Sequence, residues 1–293
     1  MTISIDQQAG FCPGVVRTIQ NVETEIANSG NKGVYIIGEI IHNPQEISRL
    51  KNMGLTTVSV NDLKSLPTDS HIIIRAHGEP PSTYDEIQKY NLQLNDATCP
   101  LVRNLQHRVE HYYQSGYGIL IYGKKDHPEV IGLCGVCCNT CIVIDDRDVI
   151  PTELPVKRKT VLLSQTTSDY SKFNEICRQV SELFRKSGAE HLLQIENTIC
   201  ANVSSRETKL KDFVSQNDVV VFVAGRNSSN GRSLYNTCCT VSANVHFIES
   251  EKELKAEWFS SAENIGITGA TSTPKWFLNE IEQKIKQLLT LRN

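Results

Sequence analysis

Three cysteines, Cys12, Cys99 and Cys200, each open the same local pattern. A valine follows three residues on (Val15, Val102, Val203), and further apolar residues follow at ten (Val22, Val109, Leu210) and fourteen (Ile26, Tyr113, Val214). Those offsets share one face of a 3.6-residue helix, so each cysteine stands where a helix begins. A helix N-terminus lowers the pKa of a thiol, because its dipole and free N–H groups favour thiolate. Thiolate is the form that ligates metal. Three thiolates converging on an axis suit a cubane iron–sulfur cluster, whose usual complement is four. Three ligands would leave one iron free to act as a Lewis acid, as at an open catalytic metal site. Buried structural cysteines are the plainer alternative. Their recurrence at one place in a threefold repeat argues for ligands instead.

The elements that must position these thiols repeat as well. Between 24 and 26 residues past each cysteine a β-rich run stops at a glycine (Gly38, Gly123, Gly225), and four residues further stands His42, His127 or Ser229. Short continuous apolar runs predict first strands at 34–37, 119–122 and 219–223, and second strands at 72–74, 161–163 and 265–267. Helices are expected between them, for example at 44–52 and 170–186. Uninterrupted apolar strands suit parallel sheets covered by helices on both faces, and the alternation of β and α segments argues for an α/β fold with right-handed crossovers. The expected division is 1–98, 99–196 and 197–293, the last unit closing with a C-terminal helix.

The carboxyl ends of the expected strands run into GEIIHN (38–43), RAHGEP (75–80), GKKDHPE (123–129), SQTTS (164–168), GRNSSN (225–230) and TGATSTP (268–274). Ligands of open α/β sheets bind at such ends. His42, His77 and His127 would each donate one proton when neutral and hold an anion when protonated. The serines and asparagine of GRNSSN, at a helix entry, suit phosphate oxygens, although the same residues are ordinary N-caps and turn formers. Glu129, two residues past His127, is the carboxylate chosen as proton source, with Thr166 to orient or relay the proton. Asp126 and Glu79 compete for that role. Asp96, just before Thr98 and Cys99, reads better as a helix cap.

The chain has 293 residues, 39% apolar and 22% charged, with a net charge of −3. That leaves no basic field for nucleic acid or an anionic membrane, and no apolar run approaches the roughly 20 residues that cross a bilayer. The start, MTISIDQQAGFC, shows neither a secretory signal nor a transit stretch, so a cytoplasmic, reducing compartment is expected. Ten cysteines there read as ligands or buried thiols rather than structural disulfides.

Nine short motifs then fall in order from Cys12 to about Pro274: GFCPGV (10–15), HNP (42–44), RAHG (75–78), DATCPLV (96–102), HPE (127–129), SQTT (164–167), NTIC (197–200), NSSN (227–230) and GATSTP (269–274). Together they resemble the LytB/IspH family of 4-hydroxy-3-methylbut-2-enyl diphosphate reductases, the last enzymes of the non-mevalonate isoprenoid pathway. The resemblance implies a trefoil of three pseudo-equivalent α/β domains around a central [4Fe–4S] cluster, held by Cys12, Cys99 and Cys200. It implies reductive removal of the hydroxyl of an allylic diphosphate, yielding isopentenyl and dimethylallyl diphosphates, with ferredoxin or flavodoxin as electron donor. The diphosphate pocket would use His42, His77, His127, Ser228, Ser229, Asn230 and Ser272. Glu129 carries over as the acid, Thr166 as its hydroxyl partner and His127 as an aid to proton delivery.

One segment departs from the family pattern: CGVCCNTC, with Cys134, Cys137, Cys138 and Cys141. Paired C-x-x-C spacing signals zinc or iron–sulfur ligands, but the pairs abut, and Cys141 begins the strand-like run CIVI. Core and loop thiols are the expected reading; an accessory metal site or redox sensing stands beside it. Cys177, Cys238 and Cys239 read as packing residues. Two other functions stay open: an iron–sulfur or zinc redox sensor built on CGVCCNTC, and an open-iron hydro-lyase, which would want arginines for a carboxylate where only Arg75 and Arg226 are available.

Overall fold

The computed structural model describes residues 1–30, 32–145, 150–151 and 154–290, and of Ser204 and Ser229 the backbone only. The strands are β1 (Thr2–Ile5), β2 (Val34–Ile37), β3 (Leu55–Val58), β4 (His71–Ile74), β5 (Gln93–Asp96) and β6 (Gly118–Tyr122). They continue as β7 (Ile142–Ile144), β8 (Thr160–Ser164), β9 (Leu193–Ile195), β10 (Val219–Val223), β11 (Val245–Ile248) and β12 (Asn264–Gly269). Among the described residues they form three four-stranded sheets, ordered β3-β2-β4-β5, β7-β6-β8-β9 and β1-β12-β10-β11. The pairs β2–β4, β6–β8 and β10–β12 at the sheet centres are parallel, as the unbroken apolar runs require. Every residue of β6, β8 and β10 is buried.

The helices are α1 (Pro13–Asn28), α2 (Pro44–Asn52), α3 (Pro81–Lys89), α4 (Pro100–Gln114) and α5 (Pro128–Val136), followed by α6 (Tyr170–Lys186), α7 (Ala201–Ser204), α8 (Arg206–Ser215), α9 (Ser229–Cys239) and α10 (Lys275–Thr290). The first five begin with proline, whose fixed φ and missing N–H suit the first helical position. The cysteine-headed helices bury the expected face, with Val22, Val109, Leu210 and Val214 closed to solvent.

Two features differ from the sequence reading. The third cysteine does not head one continuous helix: α7 and α8 are separate, with Ser205 between them. And β1 pairs not with its sequence neighbours but with β12, Ile3 opposite Ile265, so the amino terminus completes the last sheet.

The chain groups into two compact units. One comprises Met1–Asn28, Glu39–Thr56 and Ser205–Asn293; the other comprises Ser29–Gly38 and Thr57–Ser204. In the first, Arg206 Nη1 lies 2.7 Å from Asp6 Oδ2, with side chains only 4% and 6% exposed. Thr268 Oγ1 donates to the same Asp6 oxygen at 2.8 Å and accepts from Arg206 Nη2 at 2.9 Å. This buried triad ties the end of β1 to β12 and to the start of α8. Removing one partner of a buried pair leaves the other charge uncompensated, so Asp6→Ala should lower stability by about 3–5 kcal/mol. Urea unfolding measures it, and a loss no larger than that of a surface substitution would take the triad out of this role.

Candidate active site

The site residues fall into two loop clusters, one in each unit. In the unit Ser29–Gly38 with Thr57–Ser204, β6 runs out through GKKDHPE into α5, for which His127 is the N-cap. Its Nδ1 accepts the Glu129 N–H at 3.2 Å. Glu129 is 1% exposed. The loop after β8 supplies both of its partners: Thr166 N–H donates to Glu129 Oε1 at 2.7 Å and Thr166 Oγ1 to Oε2 at 2.8 Å. Burial pushes the Glu129 carboxyl up to about 7, and the two Thr166 bonds, which favour the carboxylate, hold it from rising further. A carboxyl that titrates near neutrality is suited to giving a proton at physiological pH.

Thr166 also joins the acid to a thiol-bearing segment: its carbonyl accepts the Cys200 N–H at 2.8 Å. The RAHG turn after β4 does the same for the second cysteine, Ala76 O accepting the Cys99 N–H at 3.0 Å. Next to Ala76, the His77 ring meets that of His127 edge to face, 5.1 Å between centroids at 88°. That approach depends on α5 lying close against the turn. A Cβ on Gly135 would stand 2.3 Å from Pro80 Cβ, and one on Gly132 2.9 Å from Gln106 Nε2. Gln106, buried on α4, donates to Glu79 O at 3.3 Å.

Glu79 and Asp96 are engaged elsewhere. Glu79 pairs with Arg75 at 3.6 Å, with its carboxyl pushed upward by burial. Asp96 does not cap α4, whose N-cap is Cys99 with no side-chain cap bond; it accepts the Thr98 N–H ahead of the helix at 2.9 Å and binds Arg103 at 2.7 Å.

In the other unit, β10 ends in GRNSSN. Ser228 is the N-cap of α9, its Oγ accepting the Gly231 N–H at 3.0 Å, and Ser229 is the first helical residue. Asn230 Oδ1 accepts from Thr271 Oγ1 at 3.1 Å and Ser272 Oγ donates to Ser228 Oγ at 3.5 Å, so the loops after β10 and β12 form one polar edge. His42 joins them: a Cβ on Gly225 would stand 2.2 Å from His42 O, so only glycine allows this contact. His42 Nδ1 lies 3.3 Å from Glu39 Oε2. Sequence reasoning overlooked Thr271 and Thr198. Both lie inside quoted motifs, and Thr198 Oγ1 accepts the Ser164 N–H at 2.8 Å, pinning NTIC to the end of β8. Gln106 gave one weak signal, a polar residue on the core-facing side of α4.

Cys12, Cys99 and Cys200 are half-buried and in no disulfide. Each is followed by a helix whose opening N–H bonds its carbonyl: Val16 to Cys12 at 2.9 Å, Arg103 to Cys99 at 2.9 Å and Val203 to Cys200 at 2.9 Å. The segment CGVCCNTC is different. Cys137 is buried in the core against Leu105, Val109 and Leu133, with Cys134 and Cys141 packed beside it. Among the described residues no three His, Cys, Asp or Glu side chains are grouped to hold a single metal ion.

Parallel sheets covered by helices define an α/β protein, with a buried near-neutral carboxyl, imidazoles and helix-heading cysteines in its strand-end loops. The chain belongs to the LytB protein family, which matches residues 3–286. A relative from Chloroherpeton thalassium, named 4-hydroxy-3-methylbut-2-enyl diphosphate reductase, is 42% identical over 307 residues, covering 98% of this chain and 96% of its own. One of the same name from Chlorobium phaeovibrioides is 40% identical over 315 residues, covering 98% and 99%. A solved structure of (E)-4-hydroxy-3-methyl-but-2-enyl diphosphate reductase, the terminal enzyme of the non-mevalonate pathway, matches with a TM-score of 0.76 at 31% identity, covering 98% of this chain and all of that one. The reductase structure from Plasmodium falciparum shares the fold, with a TM-score of 0.84 at 24% identity, covering 96% of this chain and 86% of its own.

If Glu129 gives the proton, the rate should fall as pH rises through about 7, where its carboxyl ionises. Thr166→Val removes a donor that favours the carboxylate. A hydrogen bond to a charged group is worth about 1.5–3 kcal/mol, so that limb should move up by roughly a pH unit or more. A pH–rate profile unmoved by Thr166→Val would detach the limb from this carboxyl.

Proposed function

We propose that this chain is a 4-hydroxy-3-methylbut-2-enyl diphosphate reductase, removing the allylic hydroxyl as water with two electrons and releasing isopentenyl and dimethylallyl diphosphates. The observation that carries the reading is the buried Glu129 carboxyl, poised near neutrality and bonded twice to Thr166, whose carbonyl in turn holds the Cys200 segment. Family membership and relatives of the same name over nearly the whole chain support it.

Cys12, Cys99 and Cys200 would hold a [4Fe–4S] cluster, as half-buried thiols at helix starts suit thiolate ligation. Such a cluster, when bound, supplies the reducing electrons and a Lewis-acidic iron. The chain supplies the rest. Glu129 holds the proton that leaves with the hydroxyl, and Thr166 Oγ1 orients that carboxyl. His42, Ser228, Ser229, Asn230 and Ser272 bind the diphosphate, together with His77 and His127, largely through neutral O–H and N–H donors and the N-terminus of α9. Ferredoxin or flavodoxin is the donor this reading implies, and the cytoplasm its compartment; among the described residues no helix is long and apolar enough to cross a membrane.

The hydro-lyase reading loses its arginines. Arg75 pairs with Glu79. The Arg226 guanidinium pairs with Glu253 and the Arg226 backbone N–H donates to Glu249 Oε1 at 2.7 Å, so each arginine already has a carboxylate partner.

The test is anaerobic. Iron and sulfide counts should be lost in Cys12→Ser, Cys99→Ser and Cys200→Ser and kept in Cys138→Ser. Reduced viologen should be oxidised by the allylic diphosphate alcohol and not by a hydroxy acid. Glu129→Gln should keep iron, sulfide and binding while turnover drops by about 10²–10⁴; turnover at the wild-type rate removes Glu129 from the acid role.

A further inference from the structure

The four cysteines of CGVCCNTC sit at and just beyond the far end of α5. That helix ends in a tight reversal: Cys138 N–H donates to Gly135 O at 3.1 Å and Asn139 N–H to Cys134 O at 2.8 Å. This is the double bond pattern of a Schellman cap, with Cys138 (φ 53°) and Asn139 (φ 56°) in the left-handed region where glycine is usual. The reversal folds the entry of β7 back over the helix. Cys141 Sγ comes to 2.9 Å from Cys134 Sγ.

The other two thiols are otherwise engaged. Cys137 is fully buried, and its Sγ donates to Leu133 O and Cys134 O at 3.4 and 3.3 Å. Cys138 is exposed and faces the Tyr113 hydroxyl. The Cys141 S–H, donated toward Cys134, lowers the Cys134 thiol below its ordinary value. The same donor draws Cys137 down to about 7, but that sulfur is closed to a solvent oxidant. Cys134, half-buried, is the activated sulfur within reach of solvent, and a partner thiol already stands against it.

We propose that Cys134 and Cys141 are a reversible oxidation site, converted by a peroxide into a disulfide that staples the end of α5 to the start of β7. The Cys134 thiolate attacks hydrogen peroxide, an S–O bond forms as the O–O bond breaks, and hydroxide leaves, giving Cys134 sulfenic acid. The Cys141 sulfur then attacks Cys134, the S–O bond breaks and water departs, so two thiols and one peroxide become one disulfide and two waters. The staple closes only the turn between the two cysteines and lies five residues, about 7.5 Å along the axis, from Glu129 on the same helix. It therefore records oxidant at a place separate from the acid.

All four cysteines fall in one tryptic peptide, 126–147. The cluster-loaded protein is treated with one equivalent of hydrogen peroxide, remaining thiols are alkylated, and this peptide is sequenced by mass spectrometry. The expected result is loss of two hydrogens, with Cys134 and Cys141 unalkylated, Cys137 and Cys138 alkylated, and reversal by dithiothreitol. In Cys141→Ser the sulfenic acid has no resolving thiol, so dimedone should label Cys134. A bond involving Cys137 or Cys138, dimedone labelling centred on Cys138, or disulfide loss that persists in Cys141→Ser overturns the proposal. The wild-type map decides the pairing even if the variant fails to fold.

Discussion

A carboxyl group shut away from water is the constraint around which this molecule is organised. Glu129 sits at the first turn of α5, where a carboxylate would ordinarily be favoured by the helix dipole. Burial wins over that preference and lifts the group to about 7. It does not rise further because a single residue, Thr166, offers both its N–H and its hydroxyl. The arrangement costs stability. A carboxyl raised in the folded state contributes fully only below the ordinary carboxylate range, and that contribution is lost as pH climbs through about 7.

Thr166 acts in two directions because a strand-end residue has its backbone and its side chain both unclaimed by the ladder. Its N–H and hydroxyl turn to the acid and its carbonyl to Cys200. The turn after β4 repeats the second half of this device, Ala76 O taking the Cys99 N–H. Each thiol-bearing helix in that unit is thus anchored by a hydrogen bond from its cysteine N–H to the end of a central strand. In the other unit the same strand-end position is used for hydroxyls and an amide, with Ser228, Asn230, Thr271 and Ser272 bonded across two loops. Neutral donors held by one another present a fixed array of dipoles, which can receive an anion without the cost of burying lysines or arginines.

Backbone proximity, as much as side-chain chemistry, sets these distances. Gly132 and Gly135 let α5 lie on the turn that carries His77, and Gly225 lets the GRNSSN loop touch the backbone of His42. Where the chain instead places cysteine and asparagine in left-handed conformations, at Cys138 and Asn139, it gains a reversal that brings two sulfurs together.

The central strand pairs β2 and β4, β6 and β8, and β10 and β12 were legible because they are covered on both faces and read as unbroken apolar runs. The helices at 44–52 and 170–186 were legible from their period, and the cysteine-headed faces from their shared offsets. Edge strands such as Gln93–Asp96 and Thr2–Ile5 were not, since a half-covered strand carries a mixed pattern that a loop can also carry. Residue type and spacing alone marked which loops were candidates for chemistry, because the thiols and the polar residues His42, His127 and Ser229 recur at matching distances along the chain. Tertiary structure decided what those groups are. Only packing could exclude water from Glu129, pair β1 with β12 and set Cys141 on Cys134. Burial, register and reversal all depend on residues distant in the chain, and no local pattern encodes them.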